Sequence, residues 1–136
     1  MIPARSDGEG NRVKGPDGAI SDGKFRKKEH LLKTRDFRRV YNKGLPFKKE
    51  AIVLYRLQNE LTYNRLGFSI SKKNVALASS RNRIRRLFRE AYRKKKQELK
   101  KGCDLVIVVK RDLARRSFDE ITALFHKIVK DAGLLA

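Results

Sequence analysis

Two kinds of hydrophobic spacing alternate along this chain, and the switches between them mark its elements. Phe37, Val40 and Tyr41 recur at i, i+3 and i+4, the spacing of one helical face. Thr34 is a residue type suited to the N-cap of this helix, and Gly44 and Pro46 stop it. From Ala51 to Leu57 the period becomes two, which predicts a strand: Ile52 and Leu54 point one way, Val53 and Tyr55 the other. Both faces are apolar, so both need cover. Gln58 to Thr62 reads as a turn region, and Tyr63 to Ser71 as a second strand. Leu66, Phe68 and Ile70 occupy one of its faces, and Arg65, Gly67, Ser69 and Ser71 the other. The short separation predicts that these two strands pair as a hairpin. Small groups along one face suit close approach of a ligand backbone. Cys103 to Val109 is almost continuously apolar, the pattern of a buried central strand. Phe118 to Val129 returns to helical spacing with Ile121, Leu124, Phe125, Ile128 and Val129 as its stripe, and Asp119 and Glu120 suit the dipole of its first turn.

Between the second and third strands lies the most unusual segment, Arg81-Asn82-Arg83-Ile84-Arg85-Arg86-Leu87-Phe88-Arg89-Glu90-Ala91-Tyr92-Arg93. At about 100° per residue, Ile84, Leu87, Phe88, Ala91 and the stem of Lys95 share one side of a helix. Asn82, Arg85, Arg86, Arg89, Arg93 and Lys96 share roughly another third of the circumference. Like charges at i, i+4 (Arg81/Arg85, Arg85/Arg89, Arg89/Arg93) repel by a few tenths of a kcal/mol each, and Glu90 alone offsets them inside the run. A solvated surface would explain one or two of these arginines; an array this dense points to a polyanion. Arginine rather than lysine favours planar, bidentate contact with phosphate. Ser79 or Ser80 is expected to cap the first turn, and the helix is expected to end near Lys101-Gly102.

Composition agrees. The 136 residues include 35 Lys+Arg against 15 Asp+Glu, a formal charge of +20. That length suits one domain, and that charge calls for RNA, DNA or, less well, an anionic membrane. No apolar run reaches membrane-spanning length, and the N-terminus lacks the apolar stretch of a signal peptide. A single cysteine, Cys103, excludes an internal disulfide, fits a reducing cytoplasm and reads as a buried strand residue. His30 and His126 form no zinc pattern. Residues 1–24 are rich in glycine, balanced in charge and nearly devoid of large apolar side chains, which predicts a disordered tail ahead of one domain at 25–136.

The residues resemble the protein subunit family of bacterial ribonuclease P. The matching stretches are Asp36-Phe37 with Val40-Tyr41 and Gly44, then Arg65-Leu66-Gly67-Phe68-Ser69-Ile70-Ser71-Lys72-Lys73, then Arg81 to Glu90, and finally Asp104-Leu105-Val106-Ile107-Val108. The resemblance covers roughly residues 28 to 132. One departure is the connection Asn74-Val75-Ala76-Leu77-Ala78-Ser79-Ser80, about one residue longer than usual and without the usual glycine. The resemblance implies an α+β fold, a four-stranded sheet with three helices in the order α-β-β-β-α-β-α, like the second domain of ribosomal protein S5. It also implies a left-handed βαβ crossover, which no spacing argument would give.

The implied function is binding with a catalytic outcome. The RNA subunit holds Mg2+, together with the substrate, and hydrolyses the bond to the 5′ leader of precursor tRNA. The protein, a monomer within the cytoplasmic ribonucleoprotein, supplies two surfaces. Arg81, Asn82, Arg85, Arg86 and Arg89 match the RNA-subunit contact, and Lys72 and Lys73 are expected on phosphate. Phe37, Tyr41, Val53, Tyr55 and Ser69 are expected to line a cleft for the single-stranded leader, where aromatic faces near cations make a sequence-tolerant platform. Ordinary helix–sheet packing is the alternative reading of Phe37 and Tyr41. The residues show no nucleophilic triad or paired carboxylates; Asp36, Glu90 and Asp104 read as cap, salt-bridge or surface groups. The rival reading is a ribosomal or general RNA-binding protein of the same fold, which has no reason to carry the arginine helix after Ser71-Lys72-Lys73. A DNA reader would need a helix-turn-helix or zinc scaffold, and a protein-only nuclease clustered carboxylates.

Overall fold

A computed structural model describes residues 26–136; the expected N-terminal tail lies outside them. Three helices and four strands follow one another: α1 (Thr34–Lys43), β1 (Leu45–Lys49), β2 (Ile52–Gln58), β3 (Arg65–Ser69), α2 (Ala78–Lys95), β4 (Cys103–Val109) and α3 (Phe118–Asp131). The sheet order is β1-β2-β4-β3. β2 runs antiparallel to both neighbours, while β3 runs parallel to β4. The expected α+β architecture is therefore present.

The expected hairpin between the Ala51–Leu57 and Tyr63–Ser71 segments is not formed. β2 and β3 are separated by β4. β4 is buried along nearly its whole length, more fully than either neighbour, and a strand of that kind gains most from the middle of the sheet. The tight turn at Glu50-Ala51 instead pairs β2 with β1, with Glu50 at φ 53°. β1 lies in a stretch that the residue pattern gave only as a helix stop, and Pro46 is tolerated there because β1 is an edge strand.

One face of the sheet carries the larger core. Ile52, Leu54, Leu66, Phe68, Leu105, Ile107 and Val109 pack against Ile84, Phe88, Ala91 and Tyr92 of α2 and the stripe of α3. Fully burying each such large side chain contributes roughly 1.5–3 kcal/mol. Tyr92, absent from the apolar face expected of this helix, is fully buried and edge-on to Phe125 at 6.4 Å. The opposite face carries a smaller cluster of Leu31, Phe37, Val40 and Val106 beneath α1.

Helix ends differ from expectation in three places. Lys33 rather than Thr34 holds the N-cap of α1, and Leu77 rather than Ser79 or Ser80 holds that of α2; neither makes a side-chain cap bond. α2 ends at Lys95 and tightens into a 3-10 turn, Lys96–Glu98, instead of running to Lys101. The chain must leave the helix there because Leu99 forms a bridge with Leu135 and Lys100 N–H donates to the Leu134 carbonyl. Ser117, by contrast, closes a full capping box with Glu120 at α3.

Gly67 decides how closely α1 sits on the sheet. A Cβ there would lie 2.7 Å from Phe37 Cζ and 3.0 Å from Leu31 Cβ. Gly67→Ala is expected to destabilise the fold by about 1–3 kcal/mol through this overpacking, measured by denaturant unfolding; wild-type stability would show that α1 is not held against β3.

Candidate nucleic-acid interface

The register of the sheet arranges the face beneath α1 in rows. Leu57, Asp104 and Arg65 form the first, Pro46, Tyr55, Val106 and Gly67 the second, and Lys48, Val53, Val108 and Ser69 the third. α1 covers the first two. Its Asp36 and Arg39 meet Arg65 and Asp104 in the first row, and Phe37 and Val40 close over Val106 and Gly67 in the second. In the third row Val53, Val108 and Ser69 are half-buried and Lys48 is exposed. The result is a groove with an apolar floor and a cation at its edge.

Two tyrosines form the wall between the covered and uncovered rows. Tyr41 projects from the last turn of α1 and is 38% exposed. Its ring meets Tyr55 edge-on with centroids 5.2 Å apart, the preferred aromatic geometry. Burial raises the Tyr41 pKa, partly countered by a hydrogen bond with Ser69. Phe37 is 7% exposed, and its ring lies 6.4 Å from that of Tyr41. It braces the wall from behind and is not presented to the groove as an open face. Of the five residues expected in a cleft, the fold thus brings Tyr41, Val53, Tyr55 and Ser69 to one groove and sets Phe37 beneath α1. Lys48 and Val108 complete the groove. Nothing short of the strand register would have placed them there, since β1 was not expected as a strand.

A buried charge cluster lies beneath α1 in the first row, two rows from the groove. Asp104 is fully buried. Its Oδ1 accepts from Arg65 Nε and Asn59 Nδ2, each at 2.8 Å, and its Oδ2 from Arg65 and Arg39 guanidiniums, each at 2.7 Å. Asp36 Oδ2 lies 3.5 Å from Arg65. The two carboxylates that looked isolated along the chain therefore share two arginines, Arg65 and Arg39. Burial pushes the Asp104 pKa up, but the hydrogen bonds from Arg65, Asn59 and Arg39 outweigh it and hold the carboxyl below its ordinary value.

The arginines of α2 divide into two groups. Arg81 turns back to donate to the Val75 and Ala76 carbonyls at 2.9 and 3.0 Å, and Arg83 Nε donates to the Ala114 carbonyl at 2.6 Å. These fasten the loops on either side of the helix start. Asn74 Nδ2 adds a bond to the Val109 carbonyl at 3.2 Å, so the long connection is tied down although it lacks glycine. Arg93 pairs with Glu90. Arg85, Arg86 and Arg89 remain as the outward group. Arg85 donates to the Asn82 side chain at 3.0 Å while its buried Nε has no partner. Burial and the neighbouring Arg89 and Arg81 lower its pKa. The Arg89 guanidinium lies 5.8 Å from the Phe68 ring centroid, within cation–π range. Lys72 and Lys73 are exposed just beyond the end of β3. Both surfaces therefore hang on β3: its Ser69 face opens to the groove, and its Phe68 face supports the guanidiniums.

A small mixed sheet with an aromatic groove on one face and an arginine helix on the other defines a strongly basic α+β protein. A family model described as Ribonuclease P matches residues 25–133. The chain is 37% identical over 109 residues to the ribonuclease P protein component of Clostridium botulinum (strain Langeland), covering 79% of this chain and 97% of that one. It is 39% identical over 107 residues to the protein component of Clostridioides difficile, covering 78% and 93%. The fold superposes on the RNase P protein of Staphylococcus aureus with a TM-score of 0.72 at 28% identity, covering 79% of this chain and 98% of that one. The chain belongs to the ribonuclease P protein family.

Asp104→Asn is expected to destabilise the protein by roughly 3 kcal/mol near neutral pH, because two arginines lose a buried partner. The sign of the pH dependence follows from the lowered folded-state pKa. The ionised carboxylate stabilises the fold fully above the ordinary aspartate value, and that contribution is lost as pH falls below about 4. The melting-temperature gap between wild type and Asp104→Asn should thus be constant from pH 5 to 7 and shrink in stronger acid; a gap independent of pH would contradict it.

Proposed function

We propose that this chain is the protein subunit of a ribonuclease P ribonucleoprotein that removes the 5′ leader from precursor tRNA. The outward arginines Arg85, Arg86 and Arg89, with Asn82, Lys72 and Lys73, face the RNA subunit. Arg81 serves that surface by holding the connection before α2. The groove of Tyr41, Tyr55, Val53, Val108 and Ser69, edged by Lys48, takes the single-stranded leader. Phe37 sets the height of its wall.

The observation that carries this reading is the uncovered third row beside the Tyr41–Tyr55 pair. Its backbone is already paired within the sheet, and its side chains offer apolar and aromatic faces with a cation alongside. Such a surface suits stacked, unpaired nucleotides and demands no particular base. On this reading hydrolysis belongs to the RNA subunit, which would hold Mg2+ to activate water and offset charge on the phosphate. Among the described residues, no group of three or more His, Cys, Asp or Glu is placed to hold a metal ion. Asp36 and Asp104, the carboxylates where α1 meets the sheet, are committed to Arg65 and Arg39. The protein's contribution is to bind and align.

Two sets of variants separate the two surfaces. Arg85→Ala with Arg89→Ala should weaken binding to ribonuclease P RNA and flatten its salt dependence, with circular dichroism unchanged. Tyr41→Ala or Tyr55→Ala should reduce the affinity of the assembled ribonucleoprotein for leader-bearing precursor by on the order of 1 kcal/mol. The same variants should not change its affinity for a leaderless tRNA. Equal losses on both substrates would remove the leader from the groove.

A further inference from the structure

One polar contact joins two elements of the groove. The hydroxyl of Tyr41, on the last turn of α1, is hydrogen-bonded with the hydroxyl of Ser69, the last residue of β3. The same ring meets Tyr55 of β2 edge-on, with centroids 5.2 Å apart. β4 lies between β2 and β3, and neighbouring strands are about 4.8 Å apart. Tyr41 therefore reaches across two strand spacings, from Tyr55 on β2 to Ser69 on β3. The wall of the groove thereby extends over β4.

The contacts of the ring differ in how tightly they hold it. Phe37 lies behind it at 6.4 Å, tilted by 46°, and Tyr55 stands beside it. Ring centroids anywhere from about 4.5 to 7 Å apart satisfy such aromatic contacts, so they leave the tilt of Tyr41 loosely set. A hydrogen bond is more demanding in distance and angle, and it fixes the tip of the ring. Ser69 is a firm anchor for that bond. It is half-buried, and β3 is paired to β4 there through Val108. Burial holds the Tyr41 pKa above its ordinary value, so the phenol keeps its proton at neutral pH.

A fixed ring matters because Tyr41 is also the open part of the wall. Phe37 and Val40, its neighbours on α1, are buried, whereas Tyr41 is 38% exposed. A side chain that must be immobilised when a ligand binds lowers the affinity, and one already ordered does not. The Tyr41–Ser69 bond supplies that order before any nucleotide arrives. The sheet contributes to it through a residue on a strand, which is more rigid than the end of a helix.

We propose that Ser69 is a positioning residue, whose hydroxyl fixes the Tyr41 ring as a preset platform for a base of the 5′ leader. It acts on the leader through Tyr41 and not by a contact of its own. This rests on the reading of the groove as the leader site, and it deepens that reading by separating the residue that meets the base from the one that orients it. Base–aromatic stacking depends on the presented ring face and tolerates any base, so the hydroxyl pair is expected to set affinity without selecting sequence.

The test is a double-mutant cycle on the full chain assembled with a bacterial ribonuclease P RNA, read as affinity for leader-bearing precursor and for leaderless tRNA. The wild type comes first: equal affinity for the two substrates would reject the groove reading itself. With the leader preference in place, Tyr41→Phe and Ser69→Ala should each weaken binding of the leader-bearing substrate about threefold, the worth of one neutral hydrogen bond. Binding of the leaderless substrate should not change. The double variant should bind no more weakly than either single one, because both remove the same bond. Ser69→Thr, which keeps a hydroxyl, should restore the affinity lost in Ser69→Ala. A further loss from Ser69→Ala in the Tyr41→Phe background would overturn the proposal, since it would show Ser69 touching the leader itself. Wild-type affinity in both single variants would also overturn it. Should Ser69→Ala lose its fold, Tyr41→Phe carries the test, and unchanged leader affinity there would decide against the proposal.

Discussion

Asp104 is the group on which the functional half of the molecule depends. A carboxylate buried in the middle strand is unfavourable unless its lone pairs are filled. Here they are filled from β3, α1 and the β2–β3 connection, through Arg65, Arg39 and Asn59. One charge thus determines where α1 crosses the sheet. With Asp36 and Arg39 fixed at one end and Phe37 settled on Gly67, α1 ends short of the third row and leaves Tyr41 beside it. Groove and wall follow from that placement. An apolar cluster of equal volume could match the network in stability, but it would not fix the direction of the helix in the same way.

β3 joins the two proposed RNA surfaces. Its five residues alternate between a face that ends at Ser69 in the groove and a face whose Phe68 lies under Arg89. A strand hydrogen-bonded to β4 along its length gives little relative motion between them. The arginine helix is fixed against the same strand by Ile84 and Phe88, and its start is held by Arg81 and Arg83. The self-repelling arginines are thus presented from a helix backbone that is packed against the sheet. In the proposed role, this rigidity lets the protein align a leader against an RNA it grips elsewhere.

Much of the fold was legible in the residues because period and burial agree. The two faces of β2, the continuous apolar run of β4, the stripe of α3 and the divided face of α2 all follow from spacing alone. Pairing was not legible. The short link between Gln58 and Arg65 suggested a hairpin, yet the two-sided apolar character of β4 required neighbours on both edges, and that non-local demand prevailed. The caps of α1 and α2 were misplaced for a related reason. The bonds from Arg81 to the Val75 and Ala76 carbonyls fix the path of the chain just before α2, so the helix starts after Leu77 and the serines fall inside it. In the site, alternation showed that Val53 and Tyr55 share a face, and the family resemblance supplied Tyr41 and Ser69. The contributions of Lys48 and Val108 needed the register. The ties of Arg81 and Arg83 to loop carbonyls depend on three-dimensional neighbours that a helical projection does not show.

The most direct test of the central claim is reconstitution. The purified chain is mixed with a bacterial ribonuclease P RNA and a precursor tRNA at low magnesium, and release of the 5′ leader is scored. The account predicts cleavage that requires the protein. Tight, salt-sensitive RNA binding with no stimulation of cleavage would contradict it and return the chain to a general RNA-binding role.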